Sequence, residues 1–473
     1  MPKLYVFAIG GTGSRVLRSL TMLLAAGVKS DTEIVPIIID PDMAGGDKNR
    51  TVELMRRYSR IHDNLNFTDS AKNRFFETAL TPLMPNYTMD IKNGNGQKFE
   101  SYIDLNGIEV QSRGNAALVR MLFSENNLAS DMTVGFKGNP NVGSVVLNQF
   151  ASSKEFATFA NNFAQGDKIF IISSIFGGTG ASGFPLLLKT LRGCNTGNSD
   201  LVRNAPIGAI SVLPYFSIKE DKKSAIDSTS FVGKTRAALS YYIRNISGNG
   251  KYSIDSLYYI ADEASSNYDN CEGGQGQQNA AHVVEMFSAL AILDFASRGK
   301  RQTQTQTKEF GVDSVAAQMQ FSNLAQKTRS NIATPLTSLM LFERYAESKL
   351  NEDVKKQPWA KDLGIDSGFL FGEFGEDVTS FLSNYKEWLK EMEDNKRSFS
   401  PFELTATDPV NSVRGHEVKY SLLFATKGLD LLSDRLNERS EKLKKVDGMT
   451  KEQCFMDVVY DVMQGIATDK IFK

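Results

Sequence analysis

The sequence predicts an α/β fold: a parallel, Rossmann-like sheet with helices on both faces across residues 1–278, then a long central helix and a mainly helical C-terminal region. Three observations carry this. Short apolar runs alternate with stretches of helical spacing, the pattern of strands joined by helical crossovers and hence of a parallel sheet. Two of those runs end in glycine clusters that open onto a helix, Gly10-Gly11-Thr12-Gly13 and Gly177-Gly178-Thr179-Gly180. Beyond residue 314 no alternation is sustained enough to build a second parallel sheet.

Residues 3–9 (KLYVFAI) read as a buried strand, and Val16, Leu17, Leu20, Leu23 and Leu24 recur at helical spacing up to Gly27. The next strand, 34–39 (IVPIII), stops at Asp40-Pro41-Asp42. From 43 to 111 the pattern is polar and interrupted, with helices expected at 49–60 and 69–80, and further helices follow at 115–123 and 151–163. The strongest strand signal is 168–175 (KIFIISSI); after its glycines, Phe184, Leu187, Leu188 and Leu191 mark a helix. Strands at 207–213 and 256–260 flank a helix at 231–246, and the broad apolar surface of 280–297 predicts a buried central helix. The polar stretch RQTQTQTKEFG reads as a boundary, and helices follow at 374–395 and 430–446. The resulting division is 1–278, an α/β domain that carries both glycine clusters; 279–305, the central helix and following loop; and 306–473, a helical domain.

Composition narrows the function. With 54 Lys+Arg against 55 Asp+Glu and 41% hydrophobic residues, the chain is a folded protein with no basic field, so nucleic acid is not an expected partner. Its three cysteines, Cys194, Cys271 and Cys454, are too few and too scattered for a disulfide framework or a zinc site and suit a reducing cytoplasm. His62, His282 and His416 include no i,i+4 pair, which argues against histidine-held metal catalysis. No window is apolar for long enough to span a membrane, and the N-terminus lacks the features of a secretory signal.

A glycine turn between strand and helix leaves backbone N–H groups unpaired and admits a phosphate without obstruction from Cβ atoms, while the helix dipole adds positive potential. The first turn supports more than one ligand. Gly11-Thr12-Gly13 with Asp40 suits a dinucleotide whose ribose Asp40 holds, although Val16 stands where a third glycine belongs. Gly10 to Arg15, Asp40-Pro41-Asp42 and Asn49-Arg50 also resemble adenylating enzymes of the ubiquitin-activating type, which would use ATP.

The second turn is more specific. Phe176-Gly177-Gly178-Thr179-Gly180-Ala181-Ser182-Gly183 resembles the GGGTG(S/T)G signature of the tubulin and FtsZ superfamily. The resemblance implies a GTP/GDP site, with Mg²⁺, built from both turns: Gly10, Gly11, Thr12, Gly13, Ser14 and Arg15 from the first, Gly177 to Gly183 from the second. It further implies phosphate contacts at Gly114 and Asn115, a ribose-side carboxylate at Glu220 and a base contact at Asn279, an alternative to which is helix capping. Asp40 and Asp42 are the candidate metal ligands. Assembly into a homo-oligomer or filament follows from the same resemblance, with the helical C-terminal region free to bind a protein partner. A scaffold that keeps the fold without catalysis is the alternative. In that family GTP bound to one subunit is hydrolysed when the next subunit inserts a loop after its central helix, which carries Asn-x-Asp and a further carboxylate that polarises water; here GKRQTQTQTKEFGVDS lacks that constellation, and Glu309 and Asp313 are the nearest carboxylates.

Overall fold

The computed structural model describes the chain apart from residues 68–73, 93–95, 220–230, 247–253, 264–265, 270, 272, 311–317, 421–425 and 444–448. Its centre is a six-stranded parallel sheet made of β1 (Lys3–Ile9), β2 (Glu33–Ile39), β3 (Lys168–Ser174), β4 (Ile207–Val212), β5 (Ser256–Ile260) and β6 (Gln306–Phe310). The order across the sheet is β2-β1-β3-β4-β5-β6. Leu4 to Ile9 of β1 are all fully buried, which explains why this strand is a continuous apolar run: a parallel strand covered on both faces has no side left for water.

The helices around the sheet include α1 (Gly10–Ala25), α2 (Gly46–Asp63), α3 (Pro140–Val146), α4 (Gly178–Arg192), α5 (Val283–Arg298), α6 (Gln326–Tyr345), α7 (Glu373–Asp394), α8 (Gly428–Lys442) and α9 (Lys451–Ile466). α5 is the expected central helix: it packs on α1 and on β3, β4 and β5, and it is apolar almost all round. No helix among the described residues is long and apolar enough to cross a membrane.

Two expectations change. Residues 74–80 are not helical: Leu80 forms an isolated parallel bridge with Ile34, and Thr88 does the same with Ile38. This segment satisfies the free edge of β2, with Ile34 N–H donating to the Ala79 carbonyl (3.0 Å) and Met89 N–H to the Ile38 carbonyl (2.9 Å). An exposed strand edge needs backbone partners, and that need overrides the local helical pattern. The second change concerns the division at 306. Residues 306–310, assigned above to the helical region, pair with β5 in parallel register from Ser256↔Gln306 to Ile260↔Phe310. A polar, lysine-bearing segment suits a sheet edge, where the backbone does the pairing.

The C-terminal helices also share a core with the sheet. α7 packs on α2, and α6 packs on α1 and α9. Trp388, fully buried, donates its indole N–H to Ser19 Oγ of α1 (3.2 Å), and Arg60 of α2 grips Asp377 of α7 with two bonds of 2.7 and 2.6 Å. Beyond the main sheet the described residues hold two short parallel pairs, Phe216–Ile218 with Ser266–Tyr268 and Gln318–Met319 with Ser398–Phe399.

Candidate functional site

The strand order determines where a ligand can sit. From β1 the chain turns through α1 to β2 on one side, and from β3 it turns through α4 to β4 on the other. β1 and β3 are neighbours, so both glycine turns leave the carboxyl edge of the sheet at its topological switch point, where open α/β sheets form a crevice. The turns touch: Gly10 adopts a left-handed φ of 71°, and a Cβ there would lie 3.4 Å from the Thr179 Cβ. Gly180 allows α4 to press onto β3, since a Cβ would come within 2.5 Å of the Ser174 carbonyl oxygen. At Gly11 the same atom would meet nothing nearer than 3.6 Å.

Neither helix is capped. The residues before them, Ile9 and Gly177, offer no side-chain acceptor, and neither first turn contains an acidic residue. The first N–H groups of both helices thus remain for a ligand, and both dipoles place positive potential in the same crevice.

A cavity of about 160 Å³ opens there. Gly10, Gly11, Thr12 and Arg15 line it from the first turn, and Gly177, Gly178, Thr179 and Gly180 from the second. Asp40, Asp42 and Asn279 complete the expected set that reaches it. Gly13, Ser14, Ala181, Ser182 and Gly183 do not line it. Ser14 and Ser182 instead turn their hydroxyls back to the carbonyls of Gly10 (3.4 Å) and Gly178 (2.7 Å), and a Cβ at Gly13 or Gly183 would collide with Ala8 or Ile9. Those two glycines serve close helix packing.

The structure places the third loop apart from the cleft. Gly114 and Asn115 lie exposed in the helix Arg113–Leu122, where Asn115 N–H is capped by Ser112 Oγ (3.3 Å), and neither lines the cavity. Residues 134–138 line it instead, with left-handed φ at Gly135 (85°), Lys137 (44°) and Gly138 (72°). This loop lies against the second turn, where a Cβ at Gly178 would come 2.9 Å from the Asn139 nitrogen. Gly135-Phe136-Lys137-Gly138-Asn139-Pro140 was a readable signal: turn residues followed by a proline at the start of a helix. An aromatic wall was also missed. Phe176, Phe216 and Phe231 line the cleft, with the Phe176 centroid 5.6 Å from that of Phe216 and 4.9 Å from that of Phe231.

Arg15 has a different role from the one its position suggests. It is buried and donates to Asp47 (2.7 Å), Glu285 (2.6 Å), Tyr215 (2.9 Å) and Thr12 (3.3 Å), while the Tyr215 hydroxyl donates to Glu285 (2.6 Å). Its charge is thus balanced by carboxylates from α2 and α5, and it clamps three helices behind the first turn. Arg50 is similarly engaged, by Asp47 (2.9 Å), Glu391 (3.1 Å) and the Asn279 carbonyl.

The two aspartates also separate. Asp42 accepts from Ala44 N–H (3.0 Å) and Gly274 N–H (2.6 Å), so both its oxygens hold backbone. Among the described residues Asp40 accepts only from Asp42 N–H (3.1 Å), and burial, opposed by nearby Lys48, pushes its carboxyl up to about 6. No group of three or more metal-binding side chains occurs among the described residues. One carboxylate completed by phosphates and water is a normal Mg²⁺ environment, and Asp40 fits it better than Asp42.

Asn279 lines the cleft and bonds Asp47 through its backbone N–H (3.1 Å) and side-chain amide (3.4 Å); the cap of α5 is His282. Cys271 lines the cleft as well, with its thiol 3.2 Å from the Gly273 carbonyl. Glu309 is exposed on edge strand β6, in register with Tyr259 and away from the cleft. Glu220 and Asp313 lie outside the described residues.

His282 makes an acid-sensitive cap. Its Nδ1 accepts from Val284 N–H (3.2 Å) while Glu285 returns a bond to the His282 N–H (3.1 Å). Burial, reinforced by Arg15 and Arg397 and opposed by Asp262, pushes the imidazole from 6.5 down to about 4. A depressed folded value means this contribution is complete above pH 6.5 and is lost as pH falls toward 4. The loss should reach about 3 kcal/mol. His282→Asn retains a capping acceptor without titrating, so urea unfolding at pH 8 and pH 5 should show a smaller acid loss than wild type; equal losses would disprove the assignment.

The sequence matches no protein-family model and no curated protein. Among solved structures, the chain is similar to CetZ from Methanosaeta thermophila strain DSM 6194, at 14% identity over 63% of this chain and 54% of that one, with a TM-score of 0.27. It is similar to CetZ2 from Haloferax volcanii, solved as a GTPγS-bound protofilament, at 12% identity over 63% and 59%, TM-score 0.31. CetZ1 from Haloferax volcanii, solved as a GDP-bound monomer, matches at 13% identity over 62% and 58%, TM-score 0.30. The match spans less than two thirds of each of those chains.

Proposed function

We propose that this chain is a nucleotide-binding protein of the tubulin and FtsZ type that takes GTP or GDP in the cleft between β1 and β3 and uses the bound nucleotide to control self-assembly. The observation that carries nucleotide binding is the convergence of two uncapped helix N-termini, each behind a glycine turn, on one cavity. The phosphates would lie against the N–H groups of Gly11, Thr12, Gly178 and Thr179. Asp40 would hold Mg²⁺, which when bound offsets phosphate charge. The wall of Phe176, Phe216 and Phe231 offers an apolar face to the nucleoside. The guanine assignment and the use in assembly rest on the resemblance of the second glycine turn.

The test is equilibrium binding of a fluorescent GTP analogue in Mg²⁺ buffer, with competition by GTP, ATP and NAD, alongside light scattering with and without GTP. Saturable binding displaced by GTP, with scattering that rises on GTP addition, is the expected result. Displacement by ATP or NAD but not GTP would overturn the guanine assignment, absence of binding would overturn the site, and scattering indifferent to GTP would favour a nucleotide-independent scaffold.

A further inference from the structure

A second cavity, of about 600 Å³, lies at the other end of α5 from the glycine turns. α5 begins beside the cleft, where Glu285 holds Arg15, and its later residues Leu290, Leu293 and Arg298 line this cavity. Val28 and Lys29 line it from the turn after α1, Lys327, Asn331 and Pro335 from α6, and Tyr460 and Gln464 from α9. Its volume is well inside the roughly 300–1,000 Å³ of pockets that enclose small organic ligands.

The lining has two chemistries. Val28, Leu290, Leu293, Pro335 and Tyr460 supply apolar surface. Lys29, Arg298 and Lys327 supply positive charge, and Asp294 is the single acidic residue among the lining side chains. That carboxylate is already engaged by Arg298, by Lys308 (3.1 Å) and by the Tyr258 hydroxyl (2.8 Å). The field facing the cavity is therefore net positive. α6 reinforces it: the helix starts behind Ala325, which offers no capping side chain, and its first turn contains Lys327 and no acid. Pro335 inside α6 has no N–H to give the Asn331 carbonyl, and both residues line the cavity.

We propose that this cavity is a second ligand site, which takes a small organic anion, its apolar body between Leu290, Leu293 and Tyr460 and its anionic group at Lys29 and Lys327. The inference does not depend on nucleotide binding at the glycine turns. Anilinonaphthalene sulfonate, an aromatic body carrying one sulfonate, is a suitable probe for the full chain. Its fluorescence should rise saturably at one site per chain. The charge-reversing pair Lys29→Glu and Lys327→Glu, both at exposed positions, should weaken that binding by about tenfold or more. Thr334→Trp, which introduces an indole into the cavity, should weaken it as well. An uncharged naphthylamine should bind more weakly than the sulfonate, and GTP should not displace the probe. Unchanged affinity in the charge-reversed variant, equal binding of the uncharged analogue, non-saturating fluorescence or one-for-one displacement by GTP would each overturn the proposal. The charge-reversed variant keeps the test decisive if Thr334→Trp does not fold.

Discussion

Arg15→Ala is expected to lower the unfolding free energy by about 3–5 kcal/mol, the range for removing one member of a buried ion-pair network. The side chain is 4% exposed, and its loss leaves Asp47 and Glu285, both about 1% exposed or less, without their shared cation. Tyr215 still donates to Glu285 and Arg50 still reaches Asp47, so the carboxylates are not wholly orphaned, but neither Tyr215 nor Arg50 bonds both of them. Arg15→Lys should recover only part of the loss, because an ammonium lacks the planar fork that serves Asp47, Glu285 and Tyr215 together. Guanidinium denaturation followed by circular dichroism measures both. A loss under about 1 kcal/mol for the alanine variant would place it among ordinary surface substitutions and refute the clamp.

Gly11→Asp should reduce nucleotide affinity by about a hundredfold or more, equivalent to about 2.7 kcal/mol. The position is chosen because a Cβ there makes only ordinary contacts, none nearer than 3.6 Å, whereas at Gly178 or Gly180 it would strike backbone and confound binding with misfolding. The new carboxylate would stand in the cleft beside the uncapped N-terminus of α1, taking the dipole and the N–H groups intended for phosphate. Gly11→Ala is the control, expected to keep the fold and most of the affinity. Titration of the fluorescent nucleotide into both variants reads the effect. If Gly11→Asp binds as tightly as wild type, the phosphates do not sit at the first turn.

Much of the framework was legible from local pattern. Five of the six strands and the helices following the glycine turns follow from apolar runs, helical spacing and glycine position, because a parallel strand and its crossover helix each write their burial into neighbouring residues. β6 was not legible: Gln306 and Lys308 carry no burial signal, and the segment becomes a strand through backbone pairing with β5. Residues 74–80 were misread for the related reason that β2 needed an edge partner. At the cleft, Gly10 to Thr12 and Gly177 to Gly180 stand out in the sequence as glycine turns opening helices and do line it, while the 134–138 loop lines it in place of Gly114 and Asn115. Its glycines matter only because the fold lays them against the second turn.

By itself, then, the sequence determined the alternation of strands and helices and the two turns able to meet a phosphate, since those depend on residues adjacent along the chain. Only the tertiary structure decided that the turns share one crevice, that Arg15 and Arg50 are consumed by internal ion pairs, that Asp42 holds backbone while Asp40 keeps an oxygen to spare, and that a cationic cavity lies at the far end of α5. Each of those depends on which distant groups become neighbours: a charge or a hydroxyl is available to a ligand only if the fold has not already given it a partner.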